Sequence, residues 1–295
     1  MITTANWQDA LEPIARKSFQ VGFKEIPMER EMLFDVQKSD KLTETYLELG
    51  DIGEMDVLTG SITYDDVAQG YKMTATAREM AKGIKIQRKF ARTDQLDIVK
   101  GLPKLLGLSA RRRMAGDVAE PLNNAFNTSY TTLDALQLCS GAHTSNNGGS
   151  SQSNRGTSAF SAVAVEATRI LMGKFTTNTD QRFDVEPDML IGPDDLQEAM
   201  YEVTASSGKV DTANNNKNFH SGKYKVLTLK RLTDTNNWFM VDADLMKQFA
   251  IWNTVDPVDF AQAEDFDSLA AKYRAYMFYG FLHKDWRWVY GHEVS

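Results

Sequence analysis

Between residues 93 and 127, apolar side chains recur at every fourth position: Leu102, Leu106, Ala110, Met114, Val118, Leu122 and Phe126. This spacing lays a stripe along one side of an α-helix, and Leu105 and Ala125 widen it into a face. The pattern predicts one long helix, with Asp94 as N-cap and Asp97 near the favourable positive end of the dipole. Pro103, beside Gly101, predicts a break near the start, and Pro121 a kink near the end. Arg111, Arg112 and Arg113 project on successive bearings, so at least two of them face away from the stripe.

Upstream the period changes to two. Ile84, Ile86 and Phe90 alternate with Lys85, Gln87 and Lys89, as on a half-buried strand. Ile62 and Tyr64 suggest another strand, and Tyr71, Met73, Ala75 and Ala77 a third. Gly50, Gly53, Gly60 and Gly70 punctuate the run. A long two-stranded hairpin over 45–92 accounts for this. Such a ribbon is marginal alone in water, so it should lie on something else. Residues 1–44 contain Pro13 and Pro27, show no compact core pattern, and read as an extended arm with a little helix from Trp7 to Phe19.

Downstream, residues 140–158 are rich in Gly, Ser and Asn and read as an exposed, mobile loop. Val163, Ala167, Ile170, Leu171 and Phe175 predict a helix over 159–175 that buries that face. Residues 188–191 read as a short buried strand, and 192–203 as a helix with Asp194 and Asp195 in its first turn. A second polar loop covers 206–221. Tyr224, Val226, Thr228 and Leu229 form a strand, and residues 238–241 another. At the end, Trp286, Trp288 and Tyr290 share one strand face, while His283, Asp285 and Arg287 share the other. The class is α+β.

Composition narrows the function. Hydrophobic content of 42% and charged content of 25% are ordinary for a folded chain. A net charge of −7 argues against a protein built to hold nucleic acid tightly. Cys139 stands alone, which excludes an internal disulfide and fits a reducing compartment. The N-terminus lacks signal-peptide order, and no run approaches the roughly 20 apolar residues of a membrane helix. The expectation is a protein made in a cytoplasm, or held in something assembled there, with no membrane partner. Charge is uneven. From Asp40 to Asp66 eight acids face one base, and from Lys72 to Arg113 twelve bases face three acids. Adjoining blocks of opposite sign often meet a partner.

Candidate chemistry is thin. Cys139 and His143 are four apart, and such a pair can make a thiolate nucleophile, but nothing nearby in sequence promises an orienting group or an oxyanion hole. His143, His220, His283 and His292 show no metal-ligand spacing. Asp184, Glu186, Asp188, Asp194 and Asp195 lack calcium-loop spacing and read as helix-capping residues. No catalytic residue, cofactor or metal is expected.

The order of elements, with several local motifs, resembles the major capsid proteins of tailed bacteriophages, the Hong Kong 97-type fold, and within them phage Mu-type major head subunits. Residues 82–94, KGIKIQRKFARTD, resemble the strand leading into the spine helix, and 107–127 the spine helix itself. Residues 138–154 resemble a loop with a small-residue-then-His element and a later Asn. Residues 187–200, PDMLIGPDDLQEAM, resemble the strand–Gly-Pro–helix of the axial domain, and 238–242, WFMVD, the strand after it. Residues 273–293 resemble the closing strands of the peripheral domain. The resemblance implies an N-terminal arm at 1–44, an extended loop at 45–92, a peripheral domain with the spine helix at 93–157, an axial domain at 158–254, and a return to the peripheral domain at 255–295.

It also implies a shell subunit that forms hexamers and pentamers, closing an icosahedral head around double-stranded DNA. The location would be the virion, assembled in the host cytoplasm. Partners would be copies of the chain, then a separate scaffold, portal and decoration proteins, with non-specific contact to packaged DNA. The chain starts close to the arm, without the long scaffolding region some members carry, and no convincing lysine sits at the ribbon tip to crosslink neighbours. An encapsulin-type compartment shell is the alternative, and a soluble Cys139–His143 enzyme a remoter one. The projecting ribbon makes Asp51, Glu54, Asp56, Asp65 and Asp66 candidates for contact with Lys104, Arg111, Arg112 and Arg113 of a neighbour.

Overall fold

The computed structural model describes residues 7–49, 52, 54–55, 57–62, 64, 69–93, 97–145, 149–208, 217–265 and 269–294. In chain order, α1 (Trp7–Lys24), α2 (Arg30–Leu33), β1 (Asp35–Lys38), β2 (Thr43–Leu49), β3 (Gln69–Thr76) and β4 (Arg78–Gln87) lead to α3 (Arg88–Thr93) and the long α4 (Ile98–Asn123). Then come β5 (Arg155–Gly156), α5 (Ala162–Met172), β6 (Met189–Gly192), α6 (Gln197–Ala205), β7 (Lys225–Thr228) and β8 (Trp238–Val241). The chain closes with α7 (Ala243–Phe249), β9 (Ala250–Asp265), β10 (Ala270–His283) and β11 (Val289–His292).

The period-four stripe is a helix, as its spacing requires. Leu106, Ala110, Met114, Val118 and Leu122 are buried along it. Leu105 is exposed, because one residue on a helix is a turn of about 100° away from Leu106. The break falls earlier than Gly101 and Pro103: α3 ends at Thr93, and Asp97 enters α4 with φ 49° and no side-chain cap bond. Asp94, the expected cap, lies outside the described residues. Pro103 and Pro121 both sit within α4 near its ends, where a missing N–H breaks few turns.

The helix expected from Trp7 to Phe19 is present and runs on to Lys24 as α1, docked on α4. Ala15 and Phe19 pack with Leu106, Ala110, Phe260 and Tyr273 in one buried cluster. The crossing is made by glycines. A Cβ on Gly107 would lie 2.1 Å from the Phe19 carbonyl oxygen, and one on Gly22 only 2.0 Å from that of Lys104. Residue 19 against 107 and 22 against 104 means that the two helices run antiparallel with their backbones touching.

Strands β1, β9, β10 and β4 form one sheet in that order, with β1 parallel to β9 and the other pairs antiparallel. The 16-residue β9 was not legible in the sequence, since Asp256, Pro257, Asp259 and Gln262 hide its alternation. Phe90 belongs to α3, so the period-two run stops at Gln87. The ribbon is β2 against β3. Ile62 and Tyr64 are not in a strand and are exposed. The partner of β3 is the Thr/Glu-alternating segment 43–49 instead. The second sheet runs β5-β11-β8-β6-β7, with every residue of β6 and β8 buried. Residues 284–288 turn between β10 and β11, so Trp286 and Trp288 do not share a strand with Tyr290, although all three are buried.

On α5 the buried residues are Ala164, Val165, Thr168 and Met172, and Ser161 caps the helix by accepting a hydrogen bond from the Ala164 amide. Val163, Ile170 and Leu171, expected inside, are exposed.

Gly107→Ala should therefore lower stability by about 2–3 kcal/mol through backbone overpacking. Gly116→Ala on the same helix, where a Cβ meets nothing within 4 Å, should raise it by about 0.5–1 kcal/mol. Urea unfolding of the two variants, side by side, checks the opposite signs.

Candidate functional site

Basic side chains on α4 were expected to face a neighbour, but the fold engages most of them. Lys104 Nζ lies 3.1 Å from Oε2 of Glu25, just past the end of α1. Arg111 is buried, donates to the Ile26 carbonyl at 2.7 Å, and lies 5.2 Å over the Phe23 ring. Arg113 pairs with Asp117 at 2.9 Å. Asp117 also accepts a 2.6 Å bond from Tyr279 Oη. Burial pushes the Asp117 pKa up, against the pull of Tyr279 and Arg113. Arg112 is exposed and has no ion pair among the described residues. Of the acids, Glu54 is exposed, while Asp51, Asp56, Asp65 and Asp66 lie outside the described residues.

The paired strands β2 and β3, the base from which the 50–68 loop leaves, are tied down as far as their loop end. Glu48 accepts from Asn178 Nδ2 at 2.7 Å and from the Tyr71 amide at 3.2 Å. Tyr46 Oη and Asn253 are hydrogen-bonded, and Lys284 Nζ sits 4.7 Å from the Tyr46 ring centre. Beyond that base, Met55, Val57, Leu58 and Tyr64 stand in solvent.

Much of the segment read as an exposed loop is open, but Ser140, His143 and Asn154 within it form a buried polar hub. Asn154 is fully buried. Its Nδ2 donates to the carbonyls of Leu138 at 2.8 Å and Val289 at 3.1 Å. Its Oδ1 accepts from the Ser140 amide at 2.8 Å and faces His143 Nε2 at 2.9 Å. With Asn154 oriented that way, His143 Nε2 is the donor. His143 Nδ1 lies 2.5 Å from Asp134 Oδ2, and the ring stacks on Trp286 at 4.1 Å. Burial works against the charge of Asp134, but His143 and Thr132 overcome it and hold its pKa below the usual value.

An orienting carboxylate for His143 is thus present, though the sequence did not promise one. A nucleophile is not: Cys139 is fully buried, and burial pushes its thiol pKa up, so it stays protonated. Its Sγ is 2.6 Å from where a Gly291 Cβ would be, so that glycine makes room for it. Among the described residues no cluster of His, Cys, Asp and Glu could hold a metal.

A family model described as phage capsid protein matches residues 70–291. The chain belongs to the phage capsid protein family. No curated protein matches it. Among solved structures, the capsid of the native GTA particle is 12% identical with TM-score 0.56, covering 90% of this chain and 89% of that one. The bacteriophage JBD30 capsid is 12% identical with TM-score 0.53, covering 99% and 73%. The virus-like particle from Pyrococcus furiosus is 8% identical with TM-score 0.54, covering 95% and 97%. At these identities the likeness shows the fold, which is the Hong Kong 97-type capsid fold.

Two other histidines are buried, His283 at the end of β10 and His292 at the end of β11. His283 has no hydrogen-bond partner for either ring nitrogen and lies between Phe34 and Trp288. Burial lowers its pKa from 6.5 to about 3. Burial likewise lowers His292 to about 4. The unfolded chain then binds more protons below pH 6.5, so this stability is complete above that pH and is lost as pH falls toward the folded values.

Asn154→Ala should cost about 3–5 kcal/mol, because it strands the Ser140 amide and two carbonyls in the interior. Thermal melting of this variant checks it. At pH 5, His283 and His292 should each have forfeited about 2 kcal/mol. His283→Phe should therefore narrow the melting-temperature gap between pH 8 and pH 5, measured by calorimetry at both.

Proposed function

We propose that the chain is a structural major head subunit, not an enzyme, whose copies form hexamers and pentamers that close an icosahedral shell around double-stranded DNA. Capsid-family membership supports this, but the observation that carries it is the ribbon. Its base is bonded to the body, while its tip holds apolar side chains in water, an arrangement that one chain has no use for. In this reading the layer of α1, α4 and the four-stranded sheet is the peripheral domain, and the five-stranded sheet with α5 and α6 is the axial one. Shells assemble in the host cytoplasm and reside in the virion. The partners are copies of the chain, with a scaffold, a portal and decoration proteins where the phage supplies them. A JBD30 capsid decorated with minor capsid protein trimers is 14% identical with TM-score 0.56, and its match covers 79% of this chain. Contact with DNA is weak and non-specific, since a net charge of −7 repels phosphate.

The electrostatic contact narrows accordingly. Arg112 is the member of the basic set left to meet Asp51, Glu54 and Asp56 of a neighbour's ribbon. Exposed pairs contribute about 0–1 kcal/mol each and act mainly on encounter.

Purified protein, with scaffold if required, should give shells or capsomers in negative-stain micrographs. An ultraviolet absorbance ratio then separates a DNA-filled head from a protein-filled compartment. A species that stays monomeric under all conditions would sink the reading. Replacing Asp51, Glu54 and Asp56 together with Lys should slow assembly at low salt, followed by light scattering, and Arg112→Glu in the same chain should restore part of it.

A further inference from the structure

Helix α5 is apolar on two sides. Its inner side is buried on the five-stranded sheet, where Thr168 Oγ1 and His292 Nε2 are 2.8 Å apart. Its outer side carries Val163, Ala167, Ile170 and Leu171 at the i, i+4, i+7, i+8 spacing of a contact face. Val163 is 75% exposed, Ile170 44% and Leu171 43%. Patterning assigns this stripe to a core, yet one chain has no core to offer it. A helix that is apolar all round belongs in an interior.

The borders of the stripe point to its occupant. Glu166 and Arg169 are bonded to each other at 2.6 and 3.0 Å, so the helix itself presents no net charge. Alongside, the half-exposed Phe219 ring lies under Arg169 and under Lys223, and Lys223, which has no ion pair among the described residues, makes that edge basic. The same chain carries the complement on α6. Tyr201 is 69% exposed, and Asp195, Glu198 and Glu202 around it are exposed with no ion pair among the described residues.

We propose that the outer stripe of α5 is covered, in the assembled shell, by the α6 face of a second copy of this chain. This rests on the shell reading above. Apolar stripe meets exposed tyrosine, and basic rim meets unpaired acids. Two different faces of one subunit make a heterologous contact, and such contacts, repeated, form a ring when the rotation between subunits closes.

The test uses full-length protein under conditions in which wild type assembles. Ile170→Asp with Leu171→Asp should reduce particle yield at least tenfold, with an unchanged melting temperature because both side chains face out. In a second arm, Leu171→Cys and Tyr201→Cys are combined in one chain, with buried Cys139 as a silent background. Mild oxidation of assembled material should give a ladder of disulfide-linked oligomers, while either single variant stays monomeric on the gel. Normal yield of the double-Asp variant, together with no ladder, overturns the proposal while leaving the shell reading intact. Dimers from Leu171→Cys alone would show α5 against α5 and overturn the assignment to α6. If wild type forms no particles at all, the shell reading fails and takes this contact with it.

Discussion

Asn154 is the point at which the chain is stitched together. One amide side chain holds the carbonyls of Leu138 and Val289 and the amide of Ser140. Its own backbone oxygen accepts from the Gly291 amide. It therefore joins the segment leaving α4 to the last strand of the chain, across 135 positions of sequence. Inside a protein these bonds are individually modest, but leaving their partners unmade is expensive. The hub thus acts as a register device: the C-terminal strand can dock on β8 only in the frame that satisfies Asn154.

What the sequence disclosed and what it hid follow from the same physics. The α4 stripe was legible because bulky apolar residues at a fixed period have few other uses. Strands β6 and β8 were legible as unbroken apolar runs bounded by Gly192-Pro193 and Asn236-Asn237. The hub was not, because composition reports residue type and not partner. Asn154 is written with the same letter as any asparagine in its Gly/Ser/Asn-rich surroundings, yet it is buried while much of that run is open. Strand β9 was hidden by its acids and Pro257, and the docking of α1 on α4, though not the helix itself, was hidden because Ala15, Phe19 and Gly22 are a sparse signal whose closest contact is made by a glycine with no side chain at all.

The charge pattern shows a different kind of limit. Sequence locates a block of positive residues on α4 but cannot say which of them the fold has already engaged. Arg111 is held by the Ile26 carbonyl and the Phe23 ring, Lys104 by Glu25, and Arg113 by Asp117. The Arg111 and Lys104 contacts fasten the end of α1 and the residues after it to α4, and Asp117, which holds Arg113, also takes the Tyr279 hydroxyl of β10, so these bases serve the subunit's own frame. The general point is that a cation beside a long helix is claimed first by whatever packs on that helix.

Apolar surface obeys the opposite accounting. A charge left out of the fold is solvated at no loss, whereas an apolar stripe left out keeps its drive to be covered. Among the described residues, two of the apolar patches left open, the ribbon tip and the outer side of α5, lie on separate elements reached by different parts of the chain. A subunit whose single patch met the same patch on a copy would pair and stop. With two that face different partners, each addition leaves a patch free for the next, which is the condition for a closed ring and for rings to join into a surface. The buried hub and the glycine crossing matter to function for that reason: they hold the elements bearing the two patches in fixed positions, so that the angle between successive subunits is set by the fold and not by the contact.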